Sequence, residues 1–325
     1  MRRDRGIALI SVILTVALIA TISTGMIARQ YVEIRRTSNL IHAHQAFEYA
    51  LGVESWATRL LRRDLLEKEE NNTDHPGEAW ASALPPTDIA GGMLTGRIED
   101  LQARFNLNNL RRSPPDPKKP GEEEVWRDLA RFQELLKRCE LEAHLAWPVV
   151  DWIDGGDRDE TSPGGAEDYA YLGLDVPYRA ANAPMASPDE LVLTRGFDYD
   201  AYACLSPFVS ALPEYVPINV NTASGPVLMA SIIGMTEAQA ERIIRRRETE
   251  PYRSVDDFTE YLKAIGAPAP DAKGASDKGS FSVSSDYYLV VASARIGNIR
   301  MDLFSRVKRL ADGKIRVLSR RWGNF

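Results

Sequence analysis

The sequence predicts an α+β protein: a long N-terminal helix packed on an antiparallel sheet, with a large α-helical domain inserted into that sheet. Three features carry this expectation. An uncharged run from Ile7 to Ala28 leads without a break into residues with amphipathic helical spacing. Strand-like alternation occupies two separate stretches, 93–110 and 281–318. The residues between them read as helices, and strands on both sides of a helical block suggest an insertion into one sheet.

The elements follow in chain order. Arg2, Arg3, Asp4, Arg5 and Gly6 form a cationic leader, and the apolar run behind it is long enough to span a bilayer as a helix at about 1.5 Å per residue. The leader arginines place the N-terminus on the cytoplasmic side. Arg29, Arg35 and Arg36 beyond the span weaken that asymmetry without reversing it. A secretory signal fits poorly, because Ser23, Gly25 and Ala28 offer only a weak cleavage site; a plain uncleaved anchor fits the length well. Past the span, Phe47, Ala50, Leu51, Val53, Ala57, Leu60, Leu61 and Leu65 recur at helical spacing, so anchor and amphipathic stretch read as one helix.

A polar segment from Glu67 to Pro86 ends that helix. Leu94, Gly96 and Ile98, then Leu101, Ala103, Phe105 and Leu107, alternate as strands, with Asn106, Asn108 and Asn109 as turn formers. A break follows from Ser113 to Gly121. Val125, Leu129, Phe132, Leu135 and Leu136 mark a helix; others are expected at Leu145–Ile153, Ser224–Ile233, Glu237–Arg247 and Val255–Leu262. Strands return at Phe281, at Tyr287 to Ser293, at Ile299 to Val307, and after the turn Ala311-Asp312-Gly313-Lys314.

Composition narrows the function. The 325 residues hold an anchor helix and roughly two domains. A net charge of −6 argues against a dedicated nucleic-acid binder, whose footprint is basic. The cysteines, Cys139 and Cys204, are candidates for one disulfide if the bulk of the chain is exported; two separate buried thiols are the alternative.

The glycine between leader and apolar run resembles the type IV prepilin signal, in which a membrane peptidase cuts after the glycine, here Gly6, and methylates the new N-terminus, here Ile7. Further islands extend the resemblance over essentially the whole chain: Gly6-Ile7-Ala8-Leu9-Ile10-Ser11-Val12, Asp151-Trp152-Ile153-Asp154, Gly164-Gly165-Ala166-Glu167-Asp168, Pro177-Tyr178-Arg179-Ala180-Ala181-Asn182, and Pro217-Ile218-Asn219-Val220-Asn221-Thr222-Ala223. Together they resemble the minor pseudopilin K (GspK) family of the type II secretion system.

The resemblance implies a pseudopilin fold divided into a leader (1–6), a transmembrane helix (7–28), the pseudopilin helix with its first strands (29–112), an inserted α-helical domain (113–280) and closing strands (281–325). It implies a non-enzymatic subunit at the tip of a secretion pseudopilus, single-pass in the bacterial inner membrane, with its globular part in the periplasm. The implied partners are the I and J minor pseudopilins, the major pseudopilin, the inner-membrane assembly platform and the prepilin peptidase. Most pseudopilins carry a glutamate at the fifth mature position, thought to pair with a neighbour's amino terminus; here that position is Ser11, as expected of a first subunit with no neighbour ahead. A carboxylate inside a bilayer is expensive and persists where it has a partner.

The best site candidate is an acidic, Gly-rich segment holding Asp151, Asp154, Asp157, Asp159, Glu160, Glu167 and Asp168, with Asp189 and Glu190 further on. Gathered carboxylates repel one another unless water or a hard cation separates them, and calcium takes six to eight oxygen ligands in flexible geometry. The spacing is not that of an EF-hand. Calcium binding by the helical domain of the K family supports Asp154, Asp157, Asp159, Glu167, Asp168 and Glu190 as ligands, against a solvated acidic loop.

Residues 219–258 resemble a helix-hairpin-helix unit, whose amides in DNA-binding versions receive a phosphate. Thr236 replaces the second hairpin glycine, and Glu237, Glu241, Glu248 and Glu250 offset Arg242, Arg245, Arg246 and Arg247. A structural hairpin is therefore favoured over a competence-type DNA receptor. A membrane-tethered hydrolase finds less support: His42, His44, His75 and His144 all precede the acidic segment, leaving no imidazole beyond it for a triad or zinc site.

Overall fold

A computed structural model describes residues 4–67, 72–111, 123–155, 162, 164–268 and 279–323. Helix α1 (Asp4–Glu67) is followed by strands β1 (Leu84–Ile89), β2 (Gly92–Asp100) and β3 (Phe105–Asn106). Then come α2 (Glu123–Arg138), α3 (Ala146–Ile153), α4 (Asp168–Leu172), α5 (Tyr199–Leu205), β4 (Val209–Ser210) and β5 (Ile218–Asn219). Helices α6 (Gly225–Ser231), α7 (Glu237–Thr249) and α8 (Val255–Ala264) lead into β6 (Phe281–Ser282), β7 (Tyr287–Ile296), β8 (Ile299–Arg309) and β9 (Ile315–Trp322).

The first half of α1 is exposed on all sides, including Ile7, Leu14, Ile22 and Ile34. From Ala46 onward a stripe of Ala46, Ala50, Val53, Ala57 and Leu61, spaced by three or four residues, is buried against the sheet. Its alanines let the helix lie close. The sheet reciprocates at Gly96, where an added Cβ would stand 2.5 Å from the Val53 side chain.

The sheet has the order β1-β2-β7-β8-β9, every neighbouring pair antiparallel. Strands β2 and β7 pair from Gly92 with Ile296 to Asp100 with Tyr288. The whole helical domain is thus inserted between two adjacent strands. Ile98, Tyr288, Val290, Ala292, Leu303 and Val307 point at α1 and form the core with it. Glu54 on the buried side of α1 is held by Arg320 (2.7 and 2.8 Å) and by Ser305. Burial raises its pKa, but those hydrogen bonds outweigh it and leave the carboxyl below its ordinary range.

The inserted domain has its own continuous core, running from Phe105 through Phe132, Ile153, Leu205 and Val227 to Phe281. Phe105, Leu107 and Leu110 belong to it, so that core begins before the break at Ser113. The sulfurs of Cys139, just past α2, and Cys204, in α5, are disulfide-bonded, with Cα atoms 5.9 Å apart.

Two local expectations differ from the structure and a third is incomplete. The second half of the 93–110 stretch is not strand: it forms 3-10 turns at Leu101–Ala103 and Leu107–Arg111 around the two-residue β3. The cause is side-chain competition for the backbone, because Asp100 accepts from the Gln102 amide at 2.8 Å. Asn108 and Asn109 stand in a turn as expected, with Asn106 Oδ1 accepting from the Asn108 amide at 3.2 Å, but all three are also buried connectors that bond the backbone of Leu212, Glu214, Met185 and Val216. Lastly, the polar segment after α1 already contains the start of β1, whose Pro85 and Pro86 sit at the sheet edge, where no ladder hydrogen bond is lost.

Insert and sheet are joined by a buried polar knot. Asp100, at the end of β2, accepts from Thr222 Oγ1 (2.5 Å), Ser285 Oγ (2.7 Å) and Asn219 Nδ2 (3.2 Å). Asn219 also donates to the Asp74 carbonyl at 3.0 Å. Arg309 of β8 reaches Asp74 at 2.5 Å and Asp64 at 3.0 Å. The island Pro217–Ala223 is therefore the clamp that holds the inserted domain on the sheet. Burial pushes the Asp100 carboxyl up to about 6, against the pull of Thr222 and Ser285.

Candidate functional site

Two parts of the molecule are candidates for function, the N-terminal helix and the acidic segment. Among the described residues, one helix is long and apolar enough to cross a membrane, and it contains Ile7 to Ala28. The helix runs unbroken through Gly6 and Ile7. Ser11, at the position where a glutamate is usual, donates its hydroxyl to the Ile7 carbonyl at 2.9 Å, so its polar group is satisfied within the helix itself.

The acidic site is built where α3 ends and α4 begins. Trp152 of α3 packs edge-on against Tyr171 of α4 (5.3 Å between ring centroids), and Tyr178 stacks on Tyr171 at 5.4 Å. This aromatic contact brings the C-terminal end of α3, with Asp151 and Asp154, against Glu167 at the start of α4. One carboxylate oxygen from each of Asp151, Asp154 and Glu167 lies within 4.8 Å of the others. Two oxygens that each sit about 2.4 Å from one calcium ion are at most about 4.8 Å apart, so the three fit a shared ion of that size.

Asp151 is fully buried and is oriented by backbone amides: Ala166 donates at 2.9 Å and Ser162 at 3.3 Å. Gly165 makes this approach possible, since a Cβ there would lie 1.8 Å from Asp151 Oδ2. Burial raises the Asp151 carboxyl above its ordinary range. Glu167 is pushed up to about 7 by burial and then by the charges of Asp151, Asp154 and Asp168.

The other expected ligands are placed differently. Asp168 stands beside the triad but accepts from the Ala180 amide at 3.1 Å and faces Arg179 at 3.4 Å. Glu190 closes a capping box, accepting from the amides of Ala186 (2.6 Å) and Ser187 (3.2 Å), with Trp152 Nε1 at 3.4 Å. Asp157 and Asp159 lie outside the described residues. Asp151 belongs to the acidic segment but not to the ligands expected from it; the signal for it in the sequence is a lone carboxylate within the apolar run Val149–Ile153.

The hairpin unit forms as α6, α7 and α8, with Thr236 and Gln239 as a reciprocal capping box on α7. Its arginines serve the fold. Arg247 is buried, donates to the Val220 carbonyl at 2.7 Å, and is lowered by burial to about 10. Arg246 bonds Asp257 at 2.9 Å and lies over the rings of Tyr252 and Tyr261. Arg245 faces Glu241 at 3.2 Å. The DNA-binding alternative finds no support in this arrangement.

Comparison with known proteins agrees with the architecture. Family models described as type II secretion system protein K match residues 103–214 and 218–280. Type II secretion system protein K of Pseudomonas aeruginosa is 41% identical, over 99% of this chain and 94% of that protein. The protein of the same name from Aeromonas hydrophila is 32% identical, over 98% and 97%. A solved relative from the GspK-GspI-GspJ complex of the enterotoxigenic Escherichia coli system superposes with a TM-score of 0.73 at 26% identity, covering 89% of this chain and all of that one. The long helix, the antiparallel sheet, the helical insertion and the full-length identity to these relatives lead to one assignment: the chain belongs to the type II secretion system protein K family, and is a minor pseudopilin of that system.

Proposed function

We propose that this subunit caps the tip of the secretion pseudopilus and starts its assembly, after cleavage behind Gly6 by a prepilin peptidase and methylation of Ile7. The observation that carries this reading is the insertion of an entire helical domain between β2 and β7. Subunits that repeat along a filament through lateral packing of their α1 helices leave no room for such a domain at every step, whereas an end position does. Ser11 supports the same place, because a first subunit has no amino terminus ahead of it to pair with a carboxylate.

The relative solved in the GspK-GspI-GspJ complex supports I- and J-type minor pseudopilins as partners of this chain. The major pseudopilin and the inner-membrane platform follow from the same assembly role. The leader arginines support a cytoplasmic N-terminus and a periplasmic globular part. The bond between Cys139 and Cys204 is in keeping with that oxidising compartment. Asp151, Asp154 and Glu167 would hold a calcium ion, which would neutralise their mutual repulsion and tie α3 to α4.

The test is immunogold labelling of overproduced pseudopili with an antibody against the inserted domain. Label confined to one end is expected; label along the length would overturn the tip reading. Mass spectrometry of the extracted chain, from cells with and without the peptidase, checks for N-methylated Ile7 against an intact Met1.

A further inference from the structure

The sheet face that α1 leaves uncovered is overhung by the inserted domain, and a cleft of about 460 Å³ runs between them. Its floor is apolar, made by Leu289, Val291 and Phe304 of β7 and β8, and its roof is the chain around Ala186–Pro188 and Tyr202–Leu212. The volume lies in the range of ordinary ligand sites.

Four guanidinium groups line this cleft: Arg97, Arg104, Arg306 and Arg321. Glu99 takes up two of them, with Arg97 at 2.7 Å and Arg104 at 2.6 Å. Asp189 faces Arg321 at 2.7 Å. Arg306 has no carboxylate partner among the described residues. Its Nη1 donates to the carbonyls of Ala186 (3.0 Å) and Ala211 (2.6 Å), and its Nε is buried without a hydrogen-bond partner. The cleft thus carries more cationic than anionic groups in a chain whose net charge is −6. A partly buried guanidinium without a counter-charge is costly, and a carboxylate is the group its planar fork matches. Burial accordingly pulls the Arg306 pKa down.

We propose that this cleft binds an extended acidic segment of a partner protein, one carboxylate meeting Arg306 and flanking apolar side chains lying on Leu289, Val291 and Phe304. The charge excess selects an acidic occupant, and the apolar floor selects a peptide over a small anion. The inference stands apart from the tip assignment, since the cleft is present whichever position the subunit takes.

The experiment uses the full chain in detergent micelles and follows fluorescence anisotropy of a fluorescein-labelled peptide that alternates leucine and glutamate. Binding is expected, and the same peptide with glutamine in place of glutamate should bind at least about tenfold more weakly, as should the glutamate peptide to Arg306→Gln. Arg306→Lys should retain part of the affinity. Ser319→Trp, which fills the cleft and leaves every arginine in place, should abolish binding, and Arg245→Gln on the hairpin unit should not change it. Thermal melts by circular dichroism report folding of each variant; if Arg306→Gln is unfolded, Ser319→Trp decides. Equal affinity for the glutamine peptide, or undiminished binding by Ser319→Trp, would overturn the proposal. So would complete displacement of the peptide by millimolar citrate at unchanged ionic strength, which indicates a small-anion site only.

Discussion

Two groups of three carboxylates in this molecule are gathered equally closely but differ in burial and in their cationic neighbours. Asp64, Asp74 and Glu78 lie where α1 meets the sheet; Asp151, Asp154 and Glu167 lie in the inserted domain. In both, one oxygen per residue comes within 4.8 Å of the others. The first group contains its own cation: Arg309, fully buried, reaches Asp64 and Asp74 and donates to the Ser285 carbonyl at 2.7 Å. In the second, burial and then the charges of Asp151, Asp154 and Asp168 push the Glu167 carboxyl up to about 7. Carboxylate spacing alone therefore does not identify a metal site. What marks the first group is that a fixed residue, Arg309, supplies its positive charge, whereas the second is where we propose that an exchangeable ion binds.

The largest effect is expected from breaking the first group. Arg309→Met keeps the side-chain length and leaves Asp74 buried without its guanidinium. Removing one partner of a buried pair costs roughly 3–5 kcal/mol, to be read as a lower urea midpoint for the joint between insert and sheet. A loss below about 1 kcal/mol would mean that Asp74 is held by its other contacts, the Ser285 amide at 2.8 Å among them, and that Arg309 is not its main support.

The second group is tested by supplying the ion. At a hundredfold excess over its dissociation constant, calcium should stabilise the chain by about 2.7 kcal/mol, and chelation should reverse the gain. Glu167→Gln should remove most of the response. Gly165→Ala should do the same with all three carboxylates retained, because the new Cβ displaces Asp151. An undiminished calcium response in both variants would place the ion elsewhere and dissolve the contrast between the groups.

The sequence made the architecture legible where periodicity is long. The uncharged run, the stripe from Ala46 to Leu61 and the alternation in β7 to β9 each repeat often enough to be read. Helices α4 and α5 are too short to show a repeat in the sequence. The acidic segment was legible as composition, but its membership was not. Glu190 is the same residue type as Glu167 and belongs to the same acidic stretch of sequence, yet a capping box claims it, and that contact depends on where Ala186 and Ser187 turn. The joint was the least legible part: Asp100, Asn219, Ser285 and Arg309 come from four distant stretches and form a unit only through the pairing of β2 with β7.

Asp100 provides the smallest and sharpest test, because it borders the first group without sharing its cation. Burial raises its pKa from 3.8 to about 6, and the neighbouring charge of Asp74 adds to the rise. A carboxyl whose folded pKa exceeds its unfolded value binds its proton more readily in the folded chain. Its contribution to stability therefore grows as pH falls from above 6 toward 3.8, and it is absent at pH 7 and above. Asp100→Asn cannot take up that proton. Titrations of Glu167 and of surface carboxylates are common to both proteins and cancel in their difference. Between about pH 7 and pH 5 the native chain should gain on the order of 1 kcal/mol over Asp100→Asn in urea unfolding. A constant difference across that range would mean that Arg309 reaches past Asp74 and holds Asp100 ionised. The joint would then be one neutralised network, more unlike the acidic triad of the insert than its geometry indicates.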